Sequence, residues 1–294
     1  MIRRKLFRLK LNSRTLVLGE RTLVMGVLNV TPDSFSDGGK FLQPESAIEH
    51  AFAIERAGAD LLDIGGESTR PGSVETSASE ELDRILPVLE ALRGRLKIPI
   101  SVDTRRASVA DLSILAGAEI INDVSGLRSD PQIAEVAARH GVPLILMHMR
   151  GEPRTMQAGG FARDVMKDVT QGLLKSVAVA RKAGVAKSQI ILDPGIGFGK
   201  SFAQNYELLE KLPQLAKFGY PLLVGTSRKG FLGATLGRDG KPAPPEGRIW
   251  GTAATVTASI LNGTHIVRVH DVAEMVQVAR VSDCLVDPKH RPKN

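Results

Sequence analysis

The residues able to do chemistry recur at one kind of place, just past short apolar runs. Asn29 follows residues 24–28, and Asp103 and Asp193 directly follow 98–102 and 190–192. Asn122-Asp123 follow 120–121, His148 follows 144–147, and Ser227-Arg228-Lys229 lie just beyond 222–224. Arg268 falls within the run 266–269 and His270 ends it, while Glu67-Ser68-Thr69-Arg70-Pro71-Gly72 comes after 61–64. An acid directly after a buried run is costly to desolvate without a partner, so Asp103 and Asp193 ask for more than ordinary loop polarity. Arg70, Lys229, Arg268 and His270 would cradle a diphosphate if they converge. Asp103, Asn122, Asp193 and Lys229 form a different set: two acids, an amide and a lysine, able to read the donor and acceptor edge of a nitrogen heterocycle. The competing reading of the same residues is a set of structural ion pairs.

Other chemistries fit poorly. The run from Gly195 to Ser201 approaches a phosphate loop, but a Walker A motif needs glycine where Pro194 stands. It also lacks the third glycine of a dinucleotide fingerprint, because position 200 is lysine. His148, His265 and His270 lack His-Glu-x-x-His spacing and Cys284 is the one cysteine, which argues against a protein-held catalytic zinc. No Gly-x-Ser-x-Gly elbow is present. Mg²⁺ held through one Asn oxygen and substrate phosphates is compatible, since Mg²⁺ keeps waters and takes few protein ligands.

The elements that must carry these groups alternate regularly. Helical segments end near Gly58, Gly94, Gly117, Gly141, Gly184, Gly219 and Gly263, and each glycine is followed by one of the apolar runs. Glycine suits the left-handed residue past a helix end. With 24–28 added, eight short strands result. Helices are expected at 45–57, 80–92, 107–116, from Asp130-Pro131 onward, and at 165–183, 203–218, 250–261 and 272 to about 281. Strand–helix alternation implies a parallel sheet, and eight such units in 294 residues imply an α/β fold, a closed (β/α)₈ TIM barrel. We expect a single domain over 1–294: an N-terminal β-hairpin at about 6–22, the barrel at about 23–282 and a short polar tail. The basic N-terminus reads as that hairpin, with a turn at Asn12-Ser13, not as a removable address. A surface loop is expected at 237–247.

Composition sets the class. Hydrophobic residues make up 43% of the chain, enough for one large core, and no run approaches the ~20 residues of a membrane span. One cysteine forbids an intrachain disulfide and suits a cytoplasmic protein. Lys and Arg number 39 against 32 Asp and Glu, a net +7 that favours anionic ligands; with 4% aromatics and no basic stripe, nucleic acid is disfavoured.

The motifs together resemble those of the dihydropteroate synthase family of pterin-binding TIM barrels. Asn29-Val-Thr-Pro-Asp-Ser-Phe-Ser-Asp-Gly-Gly39 is similar to its first loop and Glu67-Ser-Thr-Arg-Pro-Gly72 to its second. Asp193-Pro-Gly-Ile-Gly-Phe-Gly-Lys200, Ser227-Arg-Lys229 and Arg268-Val-His-Asp271 resemble its later signatures. The resemblance spans about residues 7–280. It implies a transferase of folate biosynthesis and target of sulfonamides, joining 4-aminobenzoate to 6-hydroxymethyl-7,8-dihydropterin diphosphate with release of diphosphate. It further implies a pterin site of Asp103, Asn122, Met147, Asp193 and Lys229 with Arg268 against the ring, and Asn29 as the Mg²⁺ ligand helped by Arg268 and His270. Thr69, Arg70, Pro71, Phe198 and Ser227 would shape the aminobenzoate pocket, with Phe35 and Asp37 acting from the first loop. Asp37, Arg70, Lys229, Arg268 and His270 are the expected catalytic residues. A cytoplasmic homodimer without nucleic-acid or membrane partners is also implied. Two departures are small: Ile196 stands where an aromatic is frequent, and Gly230-Phe231 follows the Ser-Arg-Lys triplet where sequences vary. The alternatives are a pterin-binding methyltransferase domain, which would not require Thr69-Arg70-Pro71, and a non-catalytic barrel paralogue.

Overall fold

The computed structural model describes residues 3–31, 44–67, 76–151, 156 and 160–292. Phe35 and Asp37 of the first loop, and Thr69, Arg70 and Pro71 of the second, lie outside the described residues.

A two-stranded antiparallel hairpin, β1 (Phe7–Lys10) and β2 (Thr15–Leu18), precedes the barrel, in register Phe7↔Leu18 to Lys10↔Thr15. The eight-stranded parallel sheet comprises β3 (Leu23–Asn29), β4 (Leu61–Gly65), β5 (Ile100–Asp103), β6 (Ile120–Asp123), β7 (Leu144–Met147), β8 (Ile190–Asp193), β9 (Leu223–Val224) and β10 (Ile266–Val269). The order is β8-β7-β6-β5-β4-β3-β10-β9, and a parallel bridge between Leu192 and Leu222 brings β8 back to β9. The barrel is therefore nearly closed. The outer helices are α1 (Pro44–Arg56), α2 (Ala78–Leu92), α3 (Ala107–Ala116), α4 (Ile133–His140), α5 (Val165–Lys182), α6 (Phe202–Ala216), α7 (Gly230–Thr235), α8 (Ile249–Leu261) and α9 (Val272–Val286). Ser77 and Ser201 start α2 and α6 with full capping boxes to Glu80 and Gln204.

Strand side chains alternate between two cores. Outward residues such as Val24, Leu62, Ile121, Leu146, Leu192 and Val267 pack against the helices. Inward residues Met25, Leu61, Ile120, Ile145, Ile191, Leu223 and Ile266 fill the barrel's N-terminal half, and Leu9 and Leu18 of the hairpin plug it from below. On four of the strands the same inward face becomes polar two residues further along: Leu61 leads to Asp63, Ile120 to Asn122, Ile191 to Asp193 and Ile266 to Arg268. The barrel is thus filled with hydrocarbon at one end and with charge at the other.

The differences from the sequence expectation have local causes. Residues 98–99 do not enter β5, because Pro99 lacks a ladder donor and Glu55 Oε1 takes the amides of Lys97 and Ile98 at 2.6 and 3.2 Å. Helix α9 runs five residues past 281, to Val286. The short α7 opens directly after Lys229, in a stretch whose glycine content hides it from a periodicity reading. Residues 237–247 run over the surface with a bridge between Arg238 and Lys241, as expected.

His265, 2% exposed at the barrel's N-terminal end, accepts the Leu222 amide on Nδ1 at 3.1 Å and lies 3.1 Å from the Lys5 carbonyl through Nε2. That pattern fits only a neutral ring with its proton on Nε2. Burial lowers its pKa to about 4. A depressed pKa contributes stability that is complete above the unfolded value near 6.5 and disappears as pH falls toward 4, roughly 2 kcal/mol by pH 5. Urea denaturation from pH 7 to 4.5 should show that decline, and His265→Gln, whose amide accepts without titrating, should flatten it; parallel curves would refute the assignment.

Candidate active site

The polar layer gathers at the C-terminal mouth of the barrel, where register sets its members side by side. Asn29 pairs with Gly65, Gly65 with Asp103, Asp103 with Asn122, and Met147 with Asp193. Gly65 leaves room there: a Cβ would touch the Asp103 side chain at 3.4 Å. Arg268 reaches across the barrel axis from β10, its Nε donating to Asp63 Oδ2 at 2.6 Å and its Nη2 to Asp103 Oδ2 at 2.8 Å. Asn122 Nδ2 donates to the same Asp63 oxygen at 3.0 Å.

Asp63 is therefore the hub, and sequence reading passed over it. It is fully buried, and its Oδ1 has no hydrogen-bond partner. The signal was available: an acid inside the apolar run 61–64, two residues after inward-facing Leu61, must face the same interior. Conversely, Asp123 belongs to the scaffold, accepting the amides of Ser125 (2.8 Å) and Leu127 (2.6 Å). His148 also turns away from the mouth. Its ring stacks so closely over Gly172 of α5 that a Cβ there would lie 2.4 Å from it, and burial lowers its pKa to about 3.

Asp193 Oδ1 caps the next loop by accepting Gly195 N at 2.7 Å. Lys229, the residue before α7, lays its ammonium 3.8 Å from the centroid of the Phe198 ring. Phe198 in turn packs against a small cluster of Val124, Met147, Met149 and Met156. Ser227 is buried and its Oγ meets both the amide (3.1 Å) and Nδ1 (3.0 Å) of His270. Arg228, at φ 58, pairs instead with Asp271.

Electrostatics follow from crowding. Burial pushes the Asp103 carboxyl up to about 8 although Arg268 pulls it down, and Asp63 and Glu81 add to the rise. Burial raises Asp193 to about 6 against the Gly195 amide and Lys229. Burial and Arg268 lower Lys229 to about 8. His270 falls to about 3 by burial and the nearby cations. Opposed charges held in one poorly solvated layer are the usual setting of a functional site.

The flanks of the second loop are clamped. Glu67 receives Arg105 Nε at 2.9 Å and Arg106 Nη1 at 3.1 Å, Arg106 also holds Glu81 at 2.5 Å, and Arg84 Nη1 donates to the Gly66 carbonyl at 2.7 Å. No group of three or more His, Cys, Asp or Glu among the described residues could hold a metal ion. The half-buried Asn29 amide supplies one neutral oxygen, which suits a hard cation that brings its other oxygens from water and phosphate.

Of the expected site residues, Asn29, Asp103, Asn122, Met147, Asp193, Phe198, Ser227, Lys229, Arg268 and His270 all lie on strand ends or the loops just beyond them, at one end of the barrel. This is a (β/α)₈ barrel whose mouth gathers acids, an amide and cations in one largely buried layer. The family of pterin binding enzymes matches residues 25–270. The dihydropteroate synthase of Synechocystis sp. is 51% identical over 91% of this chain and 91% of its own. The Xanthomonas albilineans dihydropteroate synthase solved with 4-aminobenzoic acid superposes with TM-score 0.88 at 42% identity, covering 96% of this chain and 98% of that one. The Yersinia pestis dihydropteroate synthase in complex with a sulfonamide drug gives 0.87 at 45%, over 95% and 98%. The chain belongs to the dihydropteroate synthase family of pterin-binding enzymes.

Removing the hub leaves Arg268 and Asn122 without their shared acceptor. Asp63→Ala should cost about 3–5 kcal/mol of unfolding free energy, as for other broken buried ion pairs; a urea series showing less than about 1 kcal/mol would contradict that role.

Proposed function

We propose that the chain condenses 4-aminobenzoate with 6-hydroxymethyl-7,8-dihydropterin diphosphate, giving 7,8-dihydropteroate and diphosphate. The observation that carries this reading is the single polar layer in which Arg268 bridges Asp63 and Asp103 beside Asn122, with Asp193 and Lys229 within electrostatic reach. Asp103, Asn122 and Asp193 offer acceptors to the ring N–H groups of a pterin, and Lys229 offers a donor to its carbonyl. The fixed Arg268 guanidinium presents a flat face for the heterocycle.

Chemistry then follows from the charges. The bond from the pterin methylene to oxygen breaks, and its electron pair leaves with the diphosphate. The electron-rich dihydropterin and the surrounding carboxylates favour the cation left behind. The aromatic amine forms the new C–N bond and releases one proton. Arg268 and His270 stand where the leaving polyanion would gather charge. When bound, Mg²⁺ on Asn29 would neutralise part of that charge. We read the substitution as largely dissociative, a course that requires water to be kept from the cation. Sulfonamides, as mimics of the aminobenzoate, would compete beside Phe198 and Ser227.

A homodimer is part of this proposal. Trp250 is 79% exposed, Phe202 52%, Tyr206 39% and Leu236 38%. They adjoin: Phe202 and Tyr206 are one turn apart on α6, Tyr206 bonds Thr235 at 2.6 Å, and a Cβ at Gly251 would meet Leu236 at 3.0 Å. A contiguous apolar face of this kind suits a second copy of the chain. The single cysteine and small-molecule substrates suit the cytoplasm.

The decisive assay mixes both substrates with Mg²⁺ and follows diphosphate release; no release would leave a binding barrel. Asp193→Ala should abolish pterin binding by calorimetry, and an unchanged affinity would overturn the pterin assignment. Trp250→Glu should shift sedimentation toward the monomer; an unaltered dimer would place the interface elsewhere.

A further inference from the structure

Lys200 closes the sequence motif that approaches a phosphate loop, yet its side chain does not face the mouth. It is 2% exposed. Its ammonium donates to the Gly195 carbonyl at 2.8 Å, the Phe198 carbonyl at 2.9 Å and the His148 carbonyl at 3.1 Å, and lies 3.2 Å from His148 Nδ1. Among the described residues no carboxylate touches it. A buried ammonium is costly unless its donors are satisfied. Here backbone carbonyls satisfy all three.

Those carbonyls come from two loops, the one after β7 and the one after β8. The loops meet backbone to backbone: a Cβ at Gly195 (φ +66) would lie 1.9 Å from the His148 oxygen, and one at Gly199 (φ +66) 2.1 Å from the Arg150 oxygen. No side chain can enter that seam, so the lysine reaches it from beside. Two further hydrogen bonds hold the same turn. Phe198 N donates to Gly195 O at 3.1 Å, and Gly197 N to Asn205 Oδ1 at 2.6 Å. At the tip of the turn the Phe198 ring supports the Lys229 ammonium, and Gly197 (φ +86) takes the left-handed conformation that favours glycine, where a Cβ would sit tightly at 3.0 Å from Lys229 Cδ. Displacing the turn therefore displaces the Phe198 ring, whereas Lys229 keeps its own seat before α7, its amide bonded to the Thr226 carbonyl at 3.3 Å.

We propose that Lys200 is a positioning residue for the aminobenzoate half of the site: by gathering the carbonyls of His148, Gly195 and Phe198 it locks the Phe198 ring beneath Lys229. This rests on the reading that Phe198 lines the aminobenzoate pocket. Lys200 touches no reacting atom, so its influence passes through Phe198.

A double-mutant cycle on the intact enzyme tests it, with KM for 4-aminobenzoate as the readout and pterin affinity by calorimetry as the control. Lys200→Met and Phe198→Ala should each raise KM about tenfold with pterin affinity within about threefold, and the double variant should be no worse than Phe198→Ala within about twofold. Additive losses, or an unchanged KM in Lys200→Met, would overturn the proposal. If Phe198→Ala alone left KM unchanged, the pocket reading would fail instead, independently of Lys200. Should Lys200→Met not fold, Lys200→Gln, which retains a donor for part of the cage, enters the same cycle, and additivity there counts equally against the proposal.

Discussion

The ion pair between Asp63 and Arg268 is the interaction on which the site depends. A fully buried carboxylate with one partnerless oxygen is an expensive thing to place inside a barrel. It is tolerated because Arg268 Nε lies 2.6 Å away and Asn122 donates to the same oxygen. From that anchor the remaining groups take their places. Arg268 extends to Asp103, Asn122 has its amide orientation chosen, and the guanidinium plane is fixed across the mouth. Although removing one partner strands the others at high cost, charge clustered this closely gains little stability compared with a hydrocarbon filling. Its value is geometric, a rigid polar floor for a ligand.

The floor exists because a strand's side chains repeat every second residue. Leu61 and Asp63 face the same interior, as do Ile120 and Asn122, Ile191 and Asp193, Ile266 and Arg268. On these four strands one inward step changes the filling from hydrocarbon to polar or charged groups. The hairpin seals the apolar end with Leu9 and Leu18, so the opposite end is left to the polar layer. Above it, separate devices hold the loops: Glu67 with two arginines after β4, Asp123 after β6, Lys200 between the loops after β7 and β8, and Arg228 with Asp271 beyond β9 and β10. Each is a charged group turned onto backbone or a counter-ion, and away from the ligand.

The strand–helix alternation was legible because its signals are local: apolar runs of strand length, glycine at helix ends, and a residue pattern that recurs through the chain. The boundaries that differed were also locally caused, Pro99 delaying β5 and the glycine-rich stretch after Lys229 concealing α7. The long motifs were legible too, and they brought with them Asn29, Asp193, Lys229, Arg268 and His270, while Asp103 and Asn122 stood out by their place directly after apolar runs. That one end of a barrel collects them follows from parallel strands alone.

What the amino-acid order determined, then, was which residues reach the mouth; what only the tertiary structure decided was which of them face the ligand. Asp63, unremarked in its apolar run, became the hub, whereas Asp123, His148 and Lys200, conspicuous in the sequence, turned to the scaffold. The physical reason is that a side chain's direction beyond a strand end depends on partners distant in sequence. Arg268 lies 205 positions from Asp63, and Lys200 lies 52 from His148. No local pattern encodes those pairings, because they form only when the sheet closes and brings the loops together.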